Sequence, residues 1–137
     1  MYKKTVRYKD FGGREITEDL FFNLTEAEMI ELQWAKDGGY AEWAQRIINA
    51  KNDSAIMQVF KELLLKSYGV KSDDNKYFRK SPEITNDFYC SAAYNAVFME
   101  LVSDEKKAVE FFKLIIPEEY QEQAESKMIE VKETGIN

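Results

Sequence analysis

The chain offers few side chains that commonly carry out chemistry. Its 137 residues include no histidine and a single cysteine, Cys90. Histidine is the most frequent general base and a frequent metal ligand, so its absence argues against acid–base catalysis and a structural zinc site. Cys90 lies in an apolar segment that we predict to be helical. A free cysteine there is expected to be a small core residue rather than a reactive thiolate.

Carboxylate groups are the other candidates for chemistry. The pairs Glu15 with Glu18 and Glu118 with Glu119 would need burial together to act as acid and base, but both lie in polar surroundings. Residues 73–75 lack the alternating ligands, the glycine and the final glutamate of a calcium-binding loop, so we expect a solvated turn. We therefore predict no catalytic residue, no metal ligand and no cofactor, and we expect a protein that is not an enzyme.

Charge and hydropathy exclude further classes of partner. The net charge is -6, from 25 acidic and 19 basic residues that are dispersed along the chain. Nucleic-acid binding needs clustered lysine and arginine, so we expect no nucleic-acid partner. No apolar run approaches the roughly 20 residues that span a bilayer, and the first residues lack the apolar centre of a signal peptide. We expect no membrane contact and a location in the cytoplasm.

Length and hydrophobic content favour one domain. We predict a mainly α-helical (α+β) fold in which an N-terminal β-hairpin, residues 3–24, packs on a helical core of about five or six helices, residues 25–117. An acidic tail, residues 118–137, follows this globular domain of residues 1–117 and is expected to be partly helical or flexible.

Periodicity and capping residues predict the individual elements. Gly12 and Gly13 separate two alternating runs and predict the hairpin turn, while Thr25 and Glu28 form a capping box. The apolar alternation consists of Val6, Tyr8, Ile16, Leu20, Phe22 and Leu24. The expected helices run from Thr25 to Gly38 and Gly39, from about Tyr40 onward, over residues 55–68 with Gly69 as the stop, from Ser81 and Pro82 through Val102, and from Ser103 and Asp104 to Pro117. Residues 70–80 are expected to be a polar excursion with a turn at 72–75.

The helix expected over residues 84–102 is too apolar for an ordinary surface helix. Its apolar residues cover more than half of its circumference, and the remaining strip is mostly small or amphipathic. Small residues permit the close approach of another helix, so we expect this helix to be central to the fold or part of an assembly surface. For the second case we predict that the strip is a partner or self-association face. It consists of Tyr89, Ala93, Ala96 and Glu100.

Ser91 and Asn95 are polar residues within the broad apolar arc of this helix. Buried polar groups need hydrogen-bond partners. The favoured interpretation is that Ser91 bonds to the helix backbone and Asn95 to a neighbouring segment. The alternative is a polar contact that sets the register across a subunit interface.

Several segments spread over most of the chain before the tail carry a family pattern made of fold residues. They are residues 8–13, 18–25, 66–72 and 78–81, Phe88, and residues 93–101 and 108–117. Through them the sequence resembles the tail assembly chaperones of bacteriophages with long, non-contractile tails (siphoviruses), especially those of Gram-positive hosts and their prophages.

The resemblance implies a mainly helical protein that forms homo-oligomers and needs no cofactor. It implies that the protein binds and shields the phage tape measure protein during tail morphogenesis, in the host cytoplasm, before tail tube subunits polymerise around it. The tail tube protein is a further possible partner, and the chaperone is expected to be absent from the mature virion. Family members often have a longer product made by programmed frameshifting.

Another class of function stays open at this point. The chain is acidic, so it is also compatible with a different small phage or prophage interaction protein, such as an acidic inhibitor or a DNA mimic. Such a mimic would bind a DNA-binding enzyme through a salt-sensitive contact, whereas the chaperone would make a mostly apolar contact with a helical rod.

Replacing Ala93 or Ala96 with arginine tests the predicted face. The bulky charge is expected to reduce the size of the oligomer or the amount of co-purified tape measure protein, which size-exclusion chromatography and affinity co-purification would measure. Unchanged assembly of a folded variant would exclude the face.

Overall fold

The computed structural model describes residues 1–34, 46, 49–51 and 53–117. Over these residues the elements are β1 (Tyr2–Lys9), β2 (Glu15–Phe22), α1 (Glu26–Trp34), α2 (Asp53–Ser67), β3 (Tyr68–Lys71), β4 (Phe78–Arg79), α3 (Pro82–Tyr89), α4 (Ala92–Ser103) and α5 (Glu105–Ile115). The fold is α+β, as predicted. The helix end at Gly38 and Gly39, the helix from about Tyr40 and the tail of residues 118–137 lie outside the described residues.

The N-terminal hairpin confirms the predicted alternation. Strands β1 and β2 pair antiparallel along their whole length, with Val6 opposite Glu18. Alternate residues of both strands face the core, and Val6, Leu20 and Phe22 are buried. Gly13 lies in the turn with φ of 84°, a left-handed conformation that favours glycine.

A second hairpin forms where the sequence predicted a polar excursion. Strand β2 pairs with β3 and β3 with β4, which gives one antiparallel sheet in the order β1-β2-β3-β4. The turn at residues 72–75 is confirmed, since the amide N–H of Asn75 donates to the carbonyl oxygen of Ser72 at 3.1 Å. The helix predicted to end before Gly69 does end at Ser67, but Gly69 itself belongs to a strand that pairs with β2 rather than to a helix cap.

The long helix predicted through Val102 is two helices, α3 and α4, broken between Tyr89 and Ala92. Ser91 explains the break: its hydroxyl donates to the carbonyl oxygen of Phe88 at 2.6 Å and accepts the amide N–H of Tyr94 at 3.0 Å. The local hydrogen bonding favoured for Ser91 is thus confirmed. Asn95 and Cys90 are both exposed, so the predictions that placed them in the core are wrong.

The predicted helix starts are confirmed by their capping hydrogen bonds. The amide N–H of Glu28 donates to Thr25 Oγ1 at 3.2 Å, and that of Thr25 donates to Glu28 Oε1 at 3.0 Å. Ser81 caps α3, with Pro82 at its first position, and Asp104 caps α5. These short-range signals fix where α1, α3 and α5 begin.

The core lies between the sheet and the helices, with Phe22 near its centre. The fully buried ring of Phe22 makes edge contacts with the rings of Tyr68, Phe88 and Phe111, at centroid distances of 5.8, 5.9 and 5.2 Å. Helices α4 and α5 contact β1, and α3 contacts β3. The other buried apolar residues are Val6, Leu20, Leu24, Val59, Leu64, Ala93, Tyr94, Val97, Leu101, Ala108 and Ile115.

The sheet and the helices meet at Asn23 and Leu24, directly after β2. The amide N–H of Asn23 donates to the carbonyl oxygen of Ser67 at 2.7 Å, at the end of α2. The amide N–H of Leu24 donates to the carbonyl oxygen of Ile115 at 2.7 Å, at the end of α5. Lys80 Nζ donates to the carbonyl oxygen of Asn23 at 2.7 Å. We call Asn23 and Leu24 the junction.

Replacing Gly69 with alanine tests the packing of the second hairpin. The added Cβ would lie 2.7 Å from Cε2 of Phe78 and 3.0 Å from the carbonyl oxygen of Arg79, so one of these groups must move. We expect a loss of about 1–3 kcal/mol in the free energy of unfolding, measured by urea denaturation. The matched change Gly12→Ala meets only an ordinary contact, 3.4 Å from Asp10 Oδ1, and should be near neutral. Equal stability of the two variants would contradict the packing.

Candidate functional site

The predicted partner face does not form one outward strip. Ala93 is only 3% exposed and belongs to the core, so its predicted outward position is wrong. Tyr89 is 44% exposed, but it lies on α3 rather than on the helix that carries Ala93 and Ala96. The helix is broken at Ser91, so a single helical periodicity cannot place residues before and after Ser91 on one face.

The other two residues of the predicted face are also partly covered. Ala96 is half-buried. Glu100 accepts Lys4 Nζ and Lys107 Nζ, each at 3.1 Å, and so connects α4 to β1 and α5. Burial alone would raise the pKa of Glu100, but the hydrogen bonds from the two lysines outweigh it and lower that pKa. Glu100 is therefore engaged within the chain.

A surface recess of about 280 Å³ lies between the sheet and α3. The rings of Tyr68 and Phe88 stack beside it with 3.9 Å between centroids. Two carboxylates, Glu18 and Asp87, line it together with apolar side chains. We call this set the recess: Glu18, Leu20, Tyr68, Val70, Ile84, Asp87, Phe88, Ser91 and Ala93.

Hydrogen bonding fixes one acidic wall of the recess. The Tyr8 hydroxyl donates to Glu18 Oε1 at 2.5 Å, and this bond is the main reason that the pKa of Tyr8 is raised to about 12. Burial raises the pKa of Tyr68 as well, so both phenols stay neutral at physiological pH. The recess therefore combines an aromatic wall with a held carboxylate.

Helix α1 exposes large apolar side chains. Ile30 and Trp34 are four residues apart and so lie on one side of the helix, with exposed fractions of 45% and 82%. Met29 and Leu32 instead pack against the core. We call Ile30 and Trp34 the α1 stripe. Buried aromatic residues dominate the energetics of protein interfaces, so an accessible tryptophan is a strong candidate contact.

An ion pair anchors the start of α1. Lys80 Nζ donates to Glu28 Oε2 at 2.7 Å, and both side chains are mostly buried. Burial would raise the pKa of Glu28, but the hydrogen bonds from Lys80 and Thr25 lower it overall. Burial lowers the pKa of Lys80 more than Glu28 raises it. The ion pair and the capping box together orient the α1 stripe.

The turn of the first hairpin projects an aromatic residue into solvent. Phe11 is 85% exposed. The carboxylate of Asp10 accepts the amide N–H groups of Gly12 and Arg14, each at 2.9 Å, and so holds the turn. We call residues 10–14 the hairpin tip.

The comparisons with known proteins decide the family. A protein-family model described as "Phage tail assembly chaperone" matches residues 1–135. The chain belongs to the phage tail assembly chaperone family. No curated protein and no solved structure matches the chain.

Membership in the family confirms the resemblance inferred from the sequence and gives the chaperone a role in tail assembly, where it interacts with phage tail proteins. The restriction to siphoviruses of Gram-positive hosts stays a prediction. Within the described residues, no helix of the chaperone is long and apolar enough to cross a membrane. The same residues hold no group of three or more His, Cys, Asp or Glu that could bind a metal ion.

Sequence reasoning missed the surfaces that the structure brings out. The recess draws its lining from β2, β3, α3 and α4, and only the fold brings these together. Phe11 had a local signal, since it directly precedes the glycine pair of the predicted turn, where the chain leaves the core. The sequence signal for Trp34 was weaker: on a helical wheel it lies away from the positions of α1 that face the core, Met29 and Leu32.

Replacing Glu28 with glutamine tests the anchor of α1 in the chaperone. Glu28 has a lowered pKa in the fold, so its contribution to stability is present above the unfolded pKa and is lost as pH falls through the folded one. We expect Glu28→Gln to lower the free energy of unfolding by about 1 kcal/mol at pH 7. We also expect the variant to show a smaller decrease in that free energy than the wild type as pH falls below about 4. Chemical denaturation from pH 3 to pH 7 would measure both.

Glu31→Gln serves as the control for this prediction. Glu31 is an exposed residue of the same helix and should change stability by less than about 0.5 kcal/mol. A Glu28→Gln variant with the wild-type pH profile would contradict the role of the ion pair.

Proposed function

We propose that the chaperone binds the tape measure protein and shields it during tail morphogenesis, without catalysis or a cofactor. A tape measure is a long helical rod, whose apolar stripes would aggregate if they were left bare. A small protein that offers apolar side chains on its surface covers such stripes reversibly. The family match to residues 1–135 supports a role in tail assembly.

The α1 stripe is the observation that carries this proposal. Ile30 and Trp34 lie on one side of a helix whose start is fixed by the capping box and by Lys80. An amphipathic helical partner binds by placing residues at i, i+3 and i+4 against apolar groups of its receptor. A helix that exposes an isoleucine and a tryptophan on one side can pack against an apolar stripe of the helical tape measure protein.

The remaining parts of the proposal follow from the same role. The chaperone acts in the host cytoplasm as a homo-oligomer along the tape measure, and it leaves before the virion is complete. The tail tube protein is a further partner, since its subunits take the place of the chaperone around the rod. Of the face first predicted from sequence, Tyr89 is the accessible residue, and we keep it as an additional contact.

The double variant Ile30→Ser with Trp34→Ala tests the proposal. Loss of a buried aromatic anchor commonly costs 2 kcal/mol or more, so we expect affinity for the tape measure protein to fall by at least about tenfold. Biolayer interferometry with an immobilised tape measure fragment would measure it, and circular dichroism would confirm the fold.

Met99→Ala is the matched control, because Met99 is an exposed apolar residue on another helix, α4. It should retain wild-type affinity. Full binding by the folded double variant would overturn the role of the α1 stripe. A wild-type protein that does not bind the tape measure but binds a DNA-binding enzyme in a salt-sensitive way would instead favour an acidic inhibitor or a DNA mimic.

A further inference from the structure

We propose that the hairpin tip of one copy inserts Phe11 into the recess of a second copy and so joins chaperone molecules head to tail. This deepens the self-association part of the proposed function by assigning the two surfaces that meet. The occupant of the recess is thus a defined segment, residues 10–14, of another copy of this chain.

The hairpin tip is built to present an aromatic anchor. Phe11 is almost fully solvent-exposed, whereas the turn around it is rigid because Asp10 binds the amides of Gly12 and Arg14. A rigid loop loses little conformational entropy when it is buried. Burial of an aromatic side chain held this way is therefore opposed by a smaller entropy cost than burial of one on a mobile loop.

The recess has the size and lining that a phenyl ring requires. Its volume of about 280 Å³ exceeds the roughly 150 Å³ of an apolar cavity that accommodates benzene. The stacked rings of Tyr68 and Phe88 offer aromatic contact, and Leu20, Val70 and Ile84 offer aliphatic contact. Val70 is an apolar residue with 45% of its surface exposed, and insertion of Phe11 would cover it.

The charges beside the two surfaces are complementary. Lys9 precedes the hairpin tip and Arg14 ends it, and neither forms an ion pair within the described ranges. The Asp10 carboxylate between them is already bound to the amides of Gly12 and Arg14, so the tip and Lys9 together carry a net positive charge. Glu18 and Asp87 line the recess, and Asp87 likewise has no ion pair with any residue that the structure places. Docking brings two basic groups to two acidic ones, which favours this orientation over tip against tip.

The geometry also makes the contact intermolecular. Glu15 is the residue of β2 that pairs with β1 next to the hairpin tip. Glu18, the first residue of β2 that lines the recess, lies three residues further along the strand, away from the tip. That spacing is about 10 Å of strand, and the tip extends further in the opposite direction. A contact between two different patches is heterologous, so it repeats from copy to copy and gives a ring or a filament.

Two single variants test the contact by complementation. Phe11→Ser removes the anchor and Asp87→Lys reverses the charge of the recess; both residues are exposed, so the fold should persist. Size-exclusion chromatography with multi-angle light scattering should show oligomers for the wild-type protein and monomers for each variant. Their equimolar mixture retains one intact tip and one intact recess, so it should form 1:1 heterodimers and nothing larger.

Tyr77→Ser is the matched control, since Tyr77 is an exposed aromatic residue beside the other hairpin, and it should assemble as the wild type does. Wild-type mass for Phe11→Ser, or a mixture that stays monomeric, would overturn the contact. A charge swap adds a second test: Arg14→Glu alone should weaken assembly, and the double variant Arg14→Glu with Asp87→Lys in one chain should restore oligomers.

Binding of the tape measure protein separates this inference from the proposed function. A wild-type chaperone that is monomeric yet binds the tape measure would overturn the head-to-tail contact and leave the proposed function standing. A chaperone that assembles through Phe11 but does not bind the tape measure would support the head-to-tail contact and overturn the proposed function.

Discussion

Hydrogen bonds at the junction of Asn23 and Leu24 hold the sheet and the helices in one arrangement. Their two amides bind the carbonyl oxygens that end α2 and α5, and Lys80 reaches the Asn23 carbonyl from the strand β4 side. Since a buried backbone group left unpaired costs about 1–3 kcal/mol, this arrangement is strongly preferred over alternatives. Leu24 of the junction and Phe22 just before it are buried, so hydrogen bonding and packing reinforce each other.

The surfaces assigned to function depend on this arrangement. Lys80 also binds Glu28, so the junction and the start of α1 share one ammonium group, and the direction of the α1 stripe follows from it. The same sheet carries the hairpin tip at one end and the recess on its helix-facing side. A small core thus leaves three features on the surface: a helical apolar stripe, an exposed phenylalanine and an aromatic recess with acidic walls.

Local signals were sufficient for much of the fold. The alternation around Gly13 and the caps at Thr25 and Ser81 lie within a few residues of the structure that they determine. The second hairpin needed β2 as a partner, and the role of Ser91 as a cap was hidden by the apolar residues on both sides. The recess could not be predicted because residues distant in sequence form it, and the predicted face failed because its periodicity crossed the break at Ser91.

The most direct test of the account is the solubility of the tape measure protein from the same phage, expressed alone and together with the chaperone. Sedimentation and light scattering would give the soluble fraction and the mass of any complex. We expect the tape measure to aggregate alone and to become soluble in a complex containing several copies of the chaperone. An equally soluble tape measure that never co-elutes with the chaperone would contradict it.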